Sequence, residues 1–143
     1  MSSVTRLPQS RLGSPARARL AAEIVASYVQ ARRELRRTTI ESAIAALRAD
    51  PSLPPHTDTA DALVEARRLG WMVARTLKLM PGDTRCLTRS LVLTRLLARR
   101  GIPATLVIGA RPTPSFLAHA WVECEGEPVL SSGDGSFSRL VEL

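Results

Sequence analysis

Residues 84–124 read TRCLTRSLVLTRLLARRGIPATLVIGARPTPSFLAHAWVEC, and the fold turns on them. Pro81-Gly82-Asp83, just ahead, is a turn signal. From about Thr84 to Arg100, Leu87, Leu91, Leu93, Leu96 and Leu97 recur at helical spacing. Gly101 suits the left-handed position past a helix end, and Arg99 and Arg100 complement the dipole of the last turn. Two shorter runs, 104–110 and 117–124, carry strand patterning, with a proline-bearing loop at 111–115 between them. A helix followed by neighbouring antiparallel strands predicts an α+β fold. It also places Cys86 in the first turn of a helix and His119 on a strand.

Working outward, residues 1–14 are polar and punctuated by Pro and Gly, which predicts a disordered arm. Residues 15–143 then read as a single domain, helical over 15–80 and with a helix-plus-sheet core over 81–143. Pro15 suits a first helical turn, and Leu20, Ile24 and Tyr28, widened by Ala21 and Val25, form an apolar stripe. The charged run from Ala31 to Arg37 predicts a break or an exposed, solvated turn. A second helix carries Ile40, Ala43, Ile44 and Leu47 inward until Asp50-Pro51 and the prolines after it end it. A third runs from about Thr59 to Lys78, with Leu63, Ala66, Leu69 or Gly70, Val73 and Leu77 on its inner side, and Met80-Pro81-Gly82 closes it. Past the strands, a turn at Glu125-Gly126-Glu127 leads to a third short strand at 128–130. The Gly/Ser-rich tail that follows ends in an apolar patch, Leu140 and Val141.

Composition bounds the function. Of 143 residues, 45% are hydrophobic but only 3% aromatic, so aliphatic side chains must build the core. The formal charge is +7, and Lys78 is the only lysine among 20 basic residues. Such a surface suits solubility, an acidic partner or non-specific polyanion binding. The basic residues show no aromatic interleaving, zinc-ligand spacing or recognition helix, which argues against specific nucleic-acid binding. Cys86 and Cys124 make no disulfide framework. There is no apolar run of about 18 residues and no secretory h-region, so no membrane is expected and the cytoplasm, where thiols stay reduced, is the expected compartment.

The pair Cys86 and His119 carries the chemistry. A helix N-terminus favours a thiolate, and its unpaired N–H groups, that of Cys86 included, can hold an oxyanion. His119 can act as base and ion-pair partner. Strand phase sets His119, Trp121 and Glu123 on one face and Ala120, Val122 and Cys124 on the other, which gives Cys124 a structural role and leaves a zinc site from Cys86, His119 and Cys124 without ligand geometry. The imidazole needs an acceptor. Asp134, Glu127 and Glu125 are the downstream candidates, and the chain returns beside His119 only after the 125–127 turn, which favours Asp134. Glu123 lies about 7 Å along the strand at roughly 3.3 Å per residue, too far to bond the ring. Against this stands the plain reading. A cysteine on a leucine-rich helix is more often a small core hydrophobe. Asp134 in a Gly/Ser segment is ordinary turn chemistry, Trp121 is core or pocket wall, and His56 in a proline-rich loop is exposed and inert.

Arg85-Cys86-Leu87-Thr88-Arg89-Ser90-Leu91, then Leu96 through Ala104, then Ile108-Gly109, then Ala118-His119-Ala120-Trp121-Val122-Glu123, in this order, resemble the leader peptidases of lasso-peptide biosynthesis. These are the stand-alone form of the C-terminal domain of the lasso maturation protease, within the transglutaminase-like cysteine superfamily. The likeness spans about residues 60–134. It implies a papain-like Cys-His-Asp peptidase with Cys86 as nucleophile, His119 as base and Asp134 as orienting acid. The histidine-to-acid spacing varies in such proteins, and Ser131 and Ser132 occupy positions an acid can take. It implies no metal or cofactor. The implied substrate is a ribosomally made precursor peptide, whose freed N-terminus an ATP-dependent lasso cyclase then joins to an acidic side chain. The helical first half does not resemble a leader-recognition module, so a separate recognition protein is the expected partner. Two other readings use the same residues: a thiol acyltransferase of that superfamily, which forms rather than hydrolyses an amide, and a non-catalytic peptide-binding module.

Overall fold

The computed structural model describes residues 14–49, 58–79, 86–112, 115–130 and 136–143. Among them are four helices, α1 (Ser14–Arg37), α2 (Ile40–Arg48), α3 (Thr59–Lys78) and α4 (Cys86–Arg99). The described residues also include four strands: β1 (Thr105–Arg111), β2 (Leu117–Cys124), β3 (Glu127–Pro128) and β4 (Ser138–Glu142). The α+β class expected from the sequence is the one observed. Residues 1–13 of the N-terminal arm, the proline stop after Asp50, His56, the turn at 80–85, Ser131, Ser132 and Asp134 all lie outside the described residues, and Ser14 opens α1.

The centre is α4. Thr88, Ser90 to Thr94, Leu96 and Leu97 are all buried, so this helix is covered on nearly every side. Helices α1, α2 and α3 and strands β1 and β2 all pack on it. It ends in a Schellman turn. The Ile102 N–H reaches the Leu97 carbonyl at 2.9 Å, the Gly101 N–H reaches Ala98 at 3.1 Å, and Gly101 takes φ 67°.

The helices around it bury the stripes their periodicity predicts. On α1, Leu20, Ile24, Tyr28 and Ala31 face inward; on α2, Ala43, Ile44 and Leu47; on α3, Ala62, Ala66, Leu69, Val73 and Leu77. The break expected within 31–37 is not there: α1 continues to Arg37, because Ala31 is fully buried and Leu35 packs against the core. The chain turns instead at Thr38 and Thr39. Their hydroxyls compete for backbone groups: Thr38 donates to the Glu34 carbonyl at 3.0 Å, and Thr39 caps α2 by accepting from the Ser42 N–H at 3.3 Å. Asp58 caps α3 through the Ala60 N–H at 2.9 Å. Gly70 is bare for a packing reason, since a methyl there would run into the Val129 carbonyl. No helix among the described residues is long and apolar enough to cross a membrane.

The sheet is antiparallel in the order β3-β2-β1-β4. β2 turns into β3 at Glu125 and Gly126, both at positive φ (53° and 75°), as a tight hairpin needs. Arg67 of α3 holds this turn through an ion pair with Glu127. β4 is a strand where the sequence pattern shows only an apolar patch. All five of its residues are exposed, so no buried face marks it. It pairs with β1 through a register shift between Ile108 and Gly109, and Leu143 and Leu106 exchange hydrogen bonds at its end (2.8 and 2.9 Å). Leu106, Ile108, Val122 and Cys124 join the helical core, whereas Val107, Gly109, His119, Trp121 and Glu123 face the opposite side.

Candidate active site

Cys86 is the first described residue of α4 and is partly exposed. Its Sγ accepts the backbone N–H of Ala120 at 3.4 Å. Strand geometry explains why that amide is available. The Val122 carbonyl accepts from Val129 on the β3 side, so Val122 and, two residues earlier, Ala120 aim their backbone groups away from β1. The described pairing of β3 reaches no further along β2 than Val122. The start of α4 meets β2 just beyond that point. The thiol is thereby held at the residue immediately after His119, across 34 positions of sequence.

His119 faces away from the helical core, in a setting built from aromatic rings. The Trp121 ring stacks near it, with centroids 5.9 Å apart and planes 25° apart. Phe137, just before β4, lies 5.1 Å from it, and the Arg111 guanidinium sits 5.4 Å over Phe137. Gly109 pairs directly with His119, and a methyl there would come within 2.9 Å of the Trp121 ring. The missing side chain on β1 is what lets the indole lie flat across the sheet.

Behind the indole stands Glu123. Its Oε1 accepts the Trp121 Nε1–H at 2.9 Å, and Arg139 of β4 grips both carboxylate oxygens, at 2.8 and 2.7 Å. The Arg139 hydrogen bond is the main reason the Glu123 carboxyl is held below its ordinary range, overcoming the burial that would raise it. The same contacts push the Arg139 guanidinium up. Strand phase in the sequence groups His119, Trp121 and Glu123, but it does not reveal Arg139, Phe137 or the Ala120 amide. Arg139 sits in a strand that reads as tail and Phe137 just before it, and the third depends on where β3 stops.

Of the residues singled out from the sequence, the structure brings Cys86 and the His119 segment together. Asp134 lies outside the described residues. Glu127 is engaged by Arg67, and Glu125 sits exposed in the hairpin turn. Cys124 is buried in the helical core, where burial, and then the Glu125 charge, pushes its thiol up, as fits a packing residue. Among the described residues no three His, Cys, Asp or Glu side chains are arranged to hold a metal. A helix-start thiol beside a histidine-bearing strand is an arrangement suited to covalent acyl transfer.

No curated protein and no solved structure matches the chain significantly. A family model described as the Transglutaminase-like superfamily, whose members are usually cysteine-dependent enzymes, matches residues 8–142. Nearly the whole length is covered, and the chain belongs to the transglutaminase-like superfamily.

Proposed function

We propose that this chain is a cysteine peptidase that removes the leader from a ribosomally made lasso precursor peptide before the macrolactam is closed. The observation that carries the reading is the Cys86 Sγ held on the Ala120 amide beside His119, at the start of the central helix. The ordered motifs around both residues supply the substrate class. Cys86 attacks the carbonyl carbon at the leader–core junction, and its own N–H supports the oxyanion. The C–N bond breaks as His119 gives a proton to the departing core amine, leaving a leader thioester on Cys86. His119 then takes a proton from water, which hydrolyses the thioester to a leader carboxylate and free thiol. Asp134 orients the imidazole, and no cofactor enters. A separate leader-recognition protein delivers the precursor, the ATP-dependent cyclase uses the product, and a reducing compartment such as the cytoplasm suits the thiol.

The test is mass spectrometry of precursor incubated with the enzyme and the recognition protein, with and without an added amine. Wild type is expected to release core peptide and a free-acid leader. Cys86→Ala should lose this by about three orders of magnitude or more. Core release by Cys86→Ala would remove the nucleophile from the mechanism. A leader carrying the added amine would make the protein an acyltransferase instead.

A further inference from the structure

We infer that Glu123 and Arg139 are positioning residues for His119, acting through the Trp121 indole. The reading rests on the proposed Cys86–His119 pair. The first two links are short, directional hydrogen bonds, and the last is a ring contact. Arg139 holds Glu123 bidentately, which fixes the carboxylate plane. The carboxylate accepts the indole N–H, which fixes the rotation of Trp121 in its strand. The indole face then bounds the imidazole on one side, and Phe137 bounds it nearby. Gly109 leaves the room that this placement needs.

Plain packing does not call for such a device. A buried indole needs one acceptor for its N–H, which a carbonyl or hydroxyl would supply. Here the acceptor is a buried carboxylate tied to a guanidinium from another strand. The exposed Arg139 head is itself fixed by Glu142 at 2.8 Å. Strands β2 and β4 flank β1 without touching each other in the ladder, so the ion pair is what ties them together across the His119 face. The charged groups on this face among the described residues are Arg111 of β1, Glu123 of β2, and Arg139 and Glu142 of β4. A strand that carries a base on such a brace has its ring angle set before substrate arrives, and small errors in that angle are costly to catalysis.

The experiment is the rate of Cys86 alkylation by iodoacetamide across pH, read by peptide mass on the full chain. It needs no substrate. The variants are His119→Ala, Glu123→Gln, Arg139→Gln and Arg139→Lys, each checked for folding by its urea midpoint. His119→Ala should abolish the histidine-dependent limb of the profile. Arg139→Gln should weaken that limb by about tenfold, with Glu123→Gln doing the same and Arg139→Lys restoring part of it. If His119→Ala leaves the profile unchanged, the Cys86–His119 pair fails and this inference with it. If His119→Ala alters the profile while folded Arg139→Gln and Glu123→Gln overlay wild type, the pair stands and the positioning role is overturned.

Discussion

At the scale of single residues, burial and partnership decide what each polar group is for. Ser90 is fully buried in the middle of α4, and its hydroxyl has no hydrogen-bond partner among the described residues. One turn on, Thr94 solves the same problem by donating to the Ser90 carbonyl at 2.8 Å. An unpaired buried hydroxyl forfeits its water contacts for nothing, so Ser90→Ala should raise stability by about 1 kcal/mol in urea unfolding. An unchanged or lower midpoint would mean the hydroxyl has a partner in solution. The site residues were unequally legible for related reasons. Cys86 and His119 stand out in the sequence because their residue types and local patterning carry chemistry. The sulfur's docking on the Ala120 amide does not, because it depends on strand phase and on where a third strand ends. The role of Gly109 was hidden too, since a glycine in a strand announces a close approach without saying to what.

At the scale of elements, α4 and β4 are opposite cases. Leu97 is fully buried and also supplies the carbonyl that closes the Schellman turn, whereas Leu140 is 63% exposed on β4. Leu97→Ala should therefore cost about 2–5 kcal/mol in chemical unfolding, and Leu140→Ala should change stability by no more than about 0.5 kcal/mol. Comparable losses at the two positions would mean that β4 is covered in solution. The same contrast explains which elements the sequence revealed. The helices and the two long strands each bury a face, so each leaves a periodic stripe. The stripe even overrides local charge: α1 runs through its arginine-rich end because Ala31 and Leu35 still find the core. β4 buries no side chain deeply and is held by backbone bonds to β1 and by the Arg139–Glu123 ion pair, so no periodic stripe in its residues marks it as a strand.

At the scale of the whole molecule, several of the arginines tie elements to one another. Glu23 of α1 receives Arg100 at the end of α4 through two bonds, at 3.0 and 2.9 Å, with Arg99 3.4 Å away. Glu123 joins β2 to β4 in the same manner. Composition displays the arginines, but which carboxylate each one meets follows only from the assembled fold. Both carboxyls sit below their ordinary value of 4.5. For Glu23, burial pushes upward, but the Arg100 hydrogen bond and the charges of Arg100, Arg99 and Arg95 outweigh it. For Glu123, the Arg139 hydrogen bond dominates. A carboxyl with a depressed folded-state pKa binds its proton more readily when unfolded. Its stabilisation is therefore complete above the ordinary value and is lost as pH falls through the lower folded value. The urea midpoint should stay level from pH 7 down to about 5 as far as these two groups are concerned, then fall below about 4. The double variant Glu23→Gln/Glu123→Gln should start lower at pH 7 and lose much of that acid slope, because glutamine has no proton to take up. A double variant that keeps the full acid slope would show that other carboxylates, and not these two clamps, tie the helices and the sheet together against acid.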